Sequence, residues 1–134
     1  RITQGHEQLS VMRLSPKGML RWYTACCRTP VGNTLDRRDK PFTGLLVQCL
    51  DSALLAPSFG PVNASANTQS AWGEPKPRAF GLPGALLRIL GMVIGSRLTG
   101  RYRDTPFFAA DGTPVAEPRV LTPAERDRLT AGGP

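Results

Sequence analysis

Two adjacent cysteines, Cys26 and Cys27, are the residues of this chain whose types and position suggest chemistry most directly. They follow an aromatic segment that has the composition of a strand, residues 21–24, and precede the turn-forming residues 29–33. Thiolates at the end of a strand, beside residues that bend the backbone around the sulfur atoms, can hold zinc at about 2.3 Å. The pattern predicts a β-hairpin zinc knuckle, with Cys27 and Cys26 as candidate metal ligands.

The number of ligands limits this prediction. A structural zinc site takes about four ligands, whereas the chain contains three Cys and one His. Neighbouring side chains on an extended strand point to opposite faces, so one of the two adjacent cysteines is expected to bind and the other to face away. The competing interpretation is a pair of ordinary thiols at a strand end. We expect His6 to be a solvated turn residue and Cys49 to be a small buried hydrophobe in an apolar strand.

Other chemistries leave no pattern in the sequence. No serine lies in a nucleophile-elbow motif, and no Gly-rich turn with a following Lys-Ser or Lys-Thr indicates a phosphate-binding loop. The net charge of +7 is spread along the chain among acidic residues, and its densest cluster is Arg97, Arg101 and Arg103. A scattered charge favours a solvated surface over nucleic-acid binding. A non-enzymatic module that binds nucleic acid or an acidic partner through this basic surface remains the alternative function.

Composition and the first residues suggest a setting for the protein. The few, odd-numbered cysteines and the lack of a signal-peptide pattern predict a reducing, cytoplasmic location. The chain opens at Arg1 without Met, and its first residues already read as strand and turn. We therefore expect it to be the C-terminal portion of a longer protein.

The first half of the chain has the pattern of strands. Residues 9–14, 19–24 and 42–50 are short and rich in apolar or aromatic side chains, and residues 15–18 form a turn that predicts a hairpin of the first two. Alternation places Leu20 and Trp22 on one face. Residues 56–73 are rich in Ser, Asn, Gly and Pro and predict a long loop that continues to about residue 82.

The second half contains a helical pattern. Apolar residues recur at spacings of three and four from residue 83 to residue 98, which predicts a helix over residues 83–100 that is too short to cross a membrane. Packing of its apolar face in the core is favoured over an anionic membrane surface or a dimer contact through Gly91 and Gly95. An Asp-Gly turn at residues 111–112 and a capping box at residues 122–125 predict an extended tail with a short terminal helix. The prediction is one mainly β (α+β) domain over residues 1–134, with a β core at 1–55, a loop at 56–82, a helix at 83–100 and the tail at 101–134.

Several segments also resemble a known group of proteins. Residues 14–23 and 26–34, together with 105–108 and 121–125, are similar to an uncharacterised bacterial family related to the glutathione-dependent formaldehyde-activating and centromere-protein-V-like zinc group. The resemblance covers most of the chain, and residues 21–34 are its specific part. It implies a small β-sheet domain of the formaldehyde-activating-enzyme type. In that group a structural zinc is held by a Cys-x-Cys pair and a later Phe-Cys-x-x-Cys-Gly turn.

When residues 23–28 are aligned with that turn, Tyr23 matches the Phe position and Thr24 matches the first Cys. Cys27 then matches the second Cys, and Arg28 replaces the usual Gly. The resemblance therefore implies half of a structural zinc site in this chain, and a catalytic zinc whose cysteines would lie upstream. The function it implies is that of a zinc-binding carbon–sulfur lyase acting on a glutathione-type thiol adduct, with Arg21 and Arg28 as candidate residues for holding the carboxylates of the adduct.

Overall fold

A computed structural model describes residue 2, residues 4–71 and residues 73–131, so residues 132–134 of the predicted tail and Trp72 of the predicted loop lie outside the described residues. Within these ranges one mixed sheet of five strands has the order β4-β3-β2-β1-β5, and three α-helices accompany it. Strand β5 pairs with β1 in parallel, and the other neighbours are antiparallel. The fold is therefore α+β, as predicted. Its elements are β1 (Leu9–Arg13), β2 (Leu20–Thr24), β3 (Pro30–Thr34), β4 (Thr43–Leu45), α1 (Ser52–Phe59), α2 (Leu82–Leu98), β5 (Arg119–Val120) and α3 (Pro123–Ala131).

The predicted hairpin of the first two strands is confirmed. Strands β1 and β2 pair antiparallel, with Val11 opposite Trp22. The turn between them closes with a hydrogen bond of 3.0 Å from the backbone N–H of Gly18 to the carbonyl of Ser15. Leu20 and Trp22 share the buried face, as the alternation along β2 predicts.

Strand β3 occupies the segment that the sequence predicts as a turn. Pro30 stands at the first position of the strand, where its missing N–H is tolerated, beside a register shift in the pairing with β2. Gly32 lies so close to β4 that a Cβ atom there would be 2.5 Å from the carbonyl oxygen of Gly44. Pro30 and Gly32 indicate a turn in the sequence. In the fold, Pro30 begins strand β3, and Gly32 allows β3 and β4 to approach closely.

Two other predictions need correction. Residues 42–50 do not form one buried strand, because β4 covers only Thr43–Leu45 and a short 3-10 helix follows at Val47–Cys49. Cys49 is consequently exposed rather than buried. Helix α1 covers the end of the predicted β core and the start of the predicted loop, and its first turn is capped by a hydrogen bond of 3.0 Å from the N–H of Ala53 to the Asp51 carboxylate.

Both predicted helices are present. Helix α2 covers Leu82–Leu98, with Pro83 in its first turn. Helix α3 starts with the predicted capping box: the Thr122 N–H donates to the Glu125 carboxylate at 2.9 Å, and the Glu125 N–H donates to the Thr122 hydroxyl at 3.3 Å. No helix in the described ranges has both the length and the apolar character needed to cross a membrane.

The core lies between the sheet and the segment that follows α2. The indole of Trp22 packs 5.0 Å from the ring of Phe107 and 6.4 Å from the ring of Phe108. Its Nε1 donates a hydrogen bond of 2.9 Å to the buried hydroxyl of Thr34. Helix α2 contributes no buried residue, so the prediction that its apolar face packs in the core is wrong.

Candidate functional site

The two adjacent cysteines lie in the tight turn that joins β2 to β3. The Arg28 N–H donates to the carbonyl of Thr24 at 2.8 Å, and the Thr24 N–H donates to the carbonyl of Thr29 at 3.0 Å. Arg28 has a left-handed φ of 57°, a conformation that favours glycine. The backbone at Arg28 therefore has a conformation that a Gly residue would adopt without strain.

This turn brings the two sulfur atoms together. Cys26 Sγ and Cys27 Sγ are 3.7 Å apart, and both residues are exposed. The prediction that adjacent cysteines face opposite ways is wrong here, because it holds for extended backbone and these residues follow the end of β2 at Thr24.

Cys27 has an acidic thiol. The hydroxyl of Thr24 lies 2.9 Å from the Cys27 sulfur, and the hydroxyl of Thr29 lies 3.0 Å from the same sulfur. Hydrogen bonds from the Thr24 side chain, the Thr29 side chain and backbone, and the Cys26 thiol lower the pKa of Cys27 to about 6. These donors stabilise the anion, so Cys27 is mostly a thiolate at neutral pH.

The geometry of the sulfur pair fits two positions of a tetrahedral metal. Two thiolates bound at 2.3 Å with a tetrahedral angle between them are about 3.8 Å apart, which agrees with the observed 3.7 Å. Thr24, at the position of the first Cys of the knuckle, offers a neutral hydroxyl instead of a third thiolate. Across the part of the chain that the structure describes, no three His, Cys, Asp or Glu side chains are grouped closely enough to hold a metal ion. The pair can therefore supply half of a tetrahedral site.

A cavity of about 620 Å³ lies beside this turn. Thr24 and Thr29, the two hydroxyl partners of Cys27, line the cavity, although Cys27 itself does not. Its other walls come from the N-terminal residues, from residues 38–50 and from the segment between residues 96 and 108. The Cys27 sulfur is therefore in direct contact with two residues of the cavity wall.

Three cationic side chains line this cavity, and they differ in their hydrogen-bond and ion-pair partners within the protein. Arg38 donates a hydrogen bond of 2.9 Å to the carbonyl of Ala109. Lys40 forms an ion pair of 2.9 Å with Asp36, and this contact lowers the pKa of the Asp36 carboxyl. The side chain of Arg101 makes no hydrogen bond or ion pair with any described residue. Arg101 is therefore the cation most available to an anionic ligand.

A family model described as a family of unknown function, DUF6151, matches residues 1–119 of the chain. The chain belongs to the DUF6151 family. The matched part of this DUF6151 chain includes the whole turn around Cys26 and Cys27 and every residue that lines the cavity. No curated protein and no solved structure matches it. These comparisons do not connect DUF6151 with the formaldehyde-activating group.

The remaining residues predicted for the site are placed elsewhere in this DUF6151 domain. Arg21 and Arg28, the predicted carboxylate-binding pair, are exposed and do not line the cavity. Sequence reasoning missed Arg38 and Lys40, which lie in a charged loop that nothing in a linear pattern assigns to the site. His6 is exposed as predicted, and its Nε2 is hydrogen-bonded to the carbonyl of Pro106 at 2.7 Å.

The predicted basic surface at residues 97–103 is partly neutralised. Arg97 donates to the backbone carbonyl of Asp39 and lies 3.8 Å from its carboxylate. The guanidinium of Arg103 lies over the ring of Tyr102, at 5.4 Å from its centroid. Two of the three arginines are therefore engaged within the protein.

Proposed function

We propose that this DUF6151 domain is a zinc-binding protein of the carbon–sulfur lyase type, which binds a glutathione-type thiol adduct in the cavity beside the Cys26–Cys27 turn. The observation that carries the proposal is the 3.7 Å separation of the two sulfur atoms, which fits two ligands of a tetrahedral zinc. Cys26 and Cys27 would hold the metal. The two other coordination positions would be filled by donors other than the described His, Cys, Asp and Glu side chains.

The protonation state of Cys27 supports metal binding. A cysteine binds zinc as the thiolate, so a metal competes with the proton for the sulfur. Because Thr24 and Thr29 lower the pKa of Cys27 to about 6, the proton is already released at neutral pH. A metal would therefore bind Cys27 without having to displace a tightly held proton.

The cavity supports a small anionic ligand. Its volume of about 620 Å³ lies in the range of sites that enclose small molecules. A glutathione-type adduct carries carboxylates, and Arg101 can pair with a carboxylate through two parallel hydrogen bonds. Lys40 and Arg38 add positive charge to the same cavity.

The proposed role of each residue follows from its position around the cavity. Arg101 and Lys40 would orient the carboxylates, and Thr24 and Thr29 hold the Cys27 thiolate at the edge of the cavity. Zinc, when bound, would supply the positive charge that polarises a bond of the adduct. Phe107 and Phe108, which belong to the core and also line the cavity, exclude water from its base.

Elemental analysis of the purified chain tests the metal site. We expect about one zinc per chain, because a tetrahedral site that uses both sulfurs takes one ion. The double variant Cys26→Ser, Cys27→Ser should lose this zinc, and Cys49→Ser is the matched control that should keep it. A wild-type chain without zinc, or a double variant that retains it, refutes the proposal.

A further inference from the structure

Helix α2 presents a continuous apolar stripe that no other described residue buries. The stripe is defined by Leu87, Leu90, Ile94 and Leu98, which recur at spacings of three and four and therefore lie on one side of the helix. Their exposed fractions are 72%, 56%, 50% and 83%. Exposed apolar residues that are contiguous in this way mark an interaction surface.

The other side of the helix rests on the protein. Ala85, Ile89, Val93 and Ser96 are half-buried and recur at spacings of four, four and three. This side therefore faces the rest of the chain, and the stripe points away from it. At the N-terminal end, two hydrogen bonds between Ser65 and Phe80 hold the segment that leads into the helix.

The segment that contains the helix carries charge of one sign. From Pro75 to Arg103 the chain contains no Asp or Glu, and it contains six cations: Lys76, Arg78, Arg88, Arg97, Arg101 and Arg103. Among the described residues, the side chains of Arg78 and Arg88 form no hydrogen bond or ion pair. Their charge is therefore free to meet an external anion.

We propose that α2 lies on an anionic phospholipid surface, with the stripe in the acyl boundary and the side chains of Arg78 and Arg88 at the phosphate groups. A helix with exposed leucines and only cationic charge beside them has the composition of an interfacial helix. Phe80, which is 49% exposed just before the helix, adds an aromatic side chain of the kind found at such interfaces. A second copy of the chain is a poorer occupant, because a symmetric contact would bring the same arginines of both copies together.

Vesicle co-sedimentation of the full chain tests the proposal. We expect binding to phosphatidylcholine vesicles that contain phosphatidylglycerol and little binding to phosphatidylcholine alone. Removing one cationic side chain of the helix with Arg88→Ala should weaken the binding about fivefold. The double variant Leu90→Glu, Ile94→Glu should weaken it more than about tenfold, since both leucine-sized side chains would leave the acyl boundary as charges.

A matched control keeps the test specific. Leu129→Glu changes a leucine of α3 that is 66% exposed, and it should bind like the wild type. Unchanged circular dichroism of all variants checks folding, which is expected because the substituted side chains are exposed. The proposal is overturned if the wild type does not bind the anionic vesicles. It is equally overturned if the Leu90→Glu, Ile94→Glu variant binds these vesicles with the affinity of the wild type. It is also overturned if sedimentation shows a dimer that this variant dissociates, because a second copy would then cover the stripe.

Discussion

The acidity of Cys27 gives the sharpest prediction about the site. Replacing Thr24 with Val removes the hydroxyl that lies 2.9 Å from the sulfur and is the first cause of the lowered pKa. We expect the pKa of Cys27 to rise from about 6 towards the ordinary thiol range. Thr29→Val should shift it in the same direction, because the Thr29 hydroxyl contacts the same sulfur at 3.0 Å.

The size of the effect decides which measurement to make. At pH 7 a thiol with a pKa of about 6 is about nine-tenths ionised, whereas one with a pKa of about 8.5 is about 3% ionised, a difference of about thirtyfold. The more acidic thiolate is also less nucleophilic, by about tenfold over this interval. The two effects nearly cancel, so the alkylation rate at pH 7 exceeds that of an ordinary thiol only about threefold. The midpoint of the pH profile is therefore the informative quantity.

The assay is the rate of alkylation by iodoacetamide as a function of pH, with Cys26→Ser and Cys49→Ser in the background so that one thiol reacts. Thr43→Val is the matched control, because Thr43 lies on β4 and makes no contact with Cys27. A midpoint near 8.5 in this Cys26→Ser, Cys49→Ser parent chain would refute the reasoning. So would a Thr24→Val midpoint equal to that of the parent chain.

Two predictions concern the sheet, and urea denaturation measures both. Gly32→Ala should lower the free energy of unfolding by about 1–3 kcal/mol, because its Cβ would lie 2.5 Å from a backbone oxygen of β4. Gly44→Ala is the control: its Cβ would meet nothing closer than 4.0 Å, so it should lower the free energy of unfolding by less than about 1 kcal/mol. Equal losses in the two variants would contradict the packing argument. Thr34→Val should cost about 1–3 kcal/mol, because it leaves the buried Trp22 Nε1–H without its acceptor. Thr34→Ser should recover most of that loss, and a Val variant as stable as the wild type would show that this hydrogen bond contributes nothing.

The elements that sequence reasoning predicted correctly depend on local chemistry. The β1–β2 hairpin follows from alternation and a turn, helix α2 from its periodicity, and the start of α3 from the Thr122–Glu125 capping box. In each case the residues that determine the element are neighbours in the sequence. Long-range contacts add little to these choices.

The elements that it missed depend on distant residues. Strand β3 contains Pro30 and Gly32, which indicate a turn locally, and it is a strand because β2 and β4 pair with both of its edges. Strand β5 has two residues, too few for any periodic pattern, and it exists only through its pairing with β1. Tertiary pairing overrides local preference at both places.

The sequence predicted the cysteines of the candidate site, but their arrangement depends on the folded backbone. The residue types identified Cys26 and Cys27, but a single turn of backbone decides whether two adjacent side chains diverge or meet, and the 3.7 Å contact comes from that turn. The grouping of the cavity cations was not predictable, since Arg38 and Arg101 are 63 positions apart and line one cavity only in the folded chain.

The wide sequence separation within the core has a consequence for the order in which the protein folds. Trp22 packs on Phe107 and Phe108, and β1 pairs with β5 more than a hundred positions later in the chain. During synthesis at about 5–20 residues per second, the β1–β2 hairpin leaves the ribosome several seconds before its aromatic partners are made. For that interval the indole has no cover, and closing such a long loop slows the final step. The nascent hairpin is therefore the species of this protein most exposed to aggregation and to capture by chaperones.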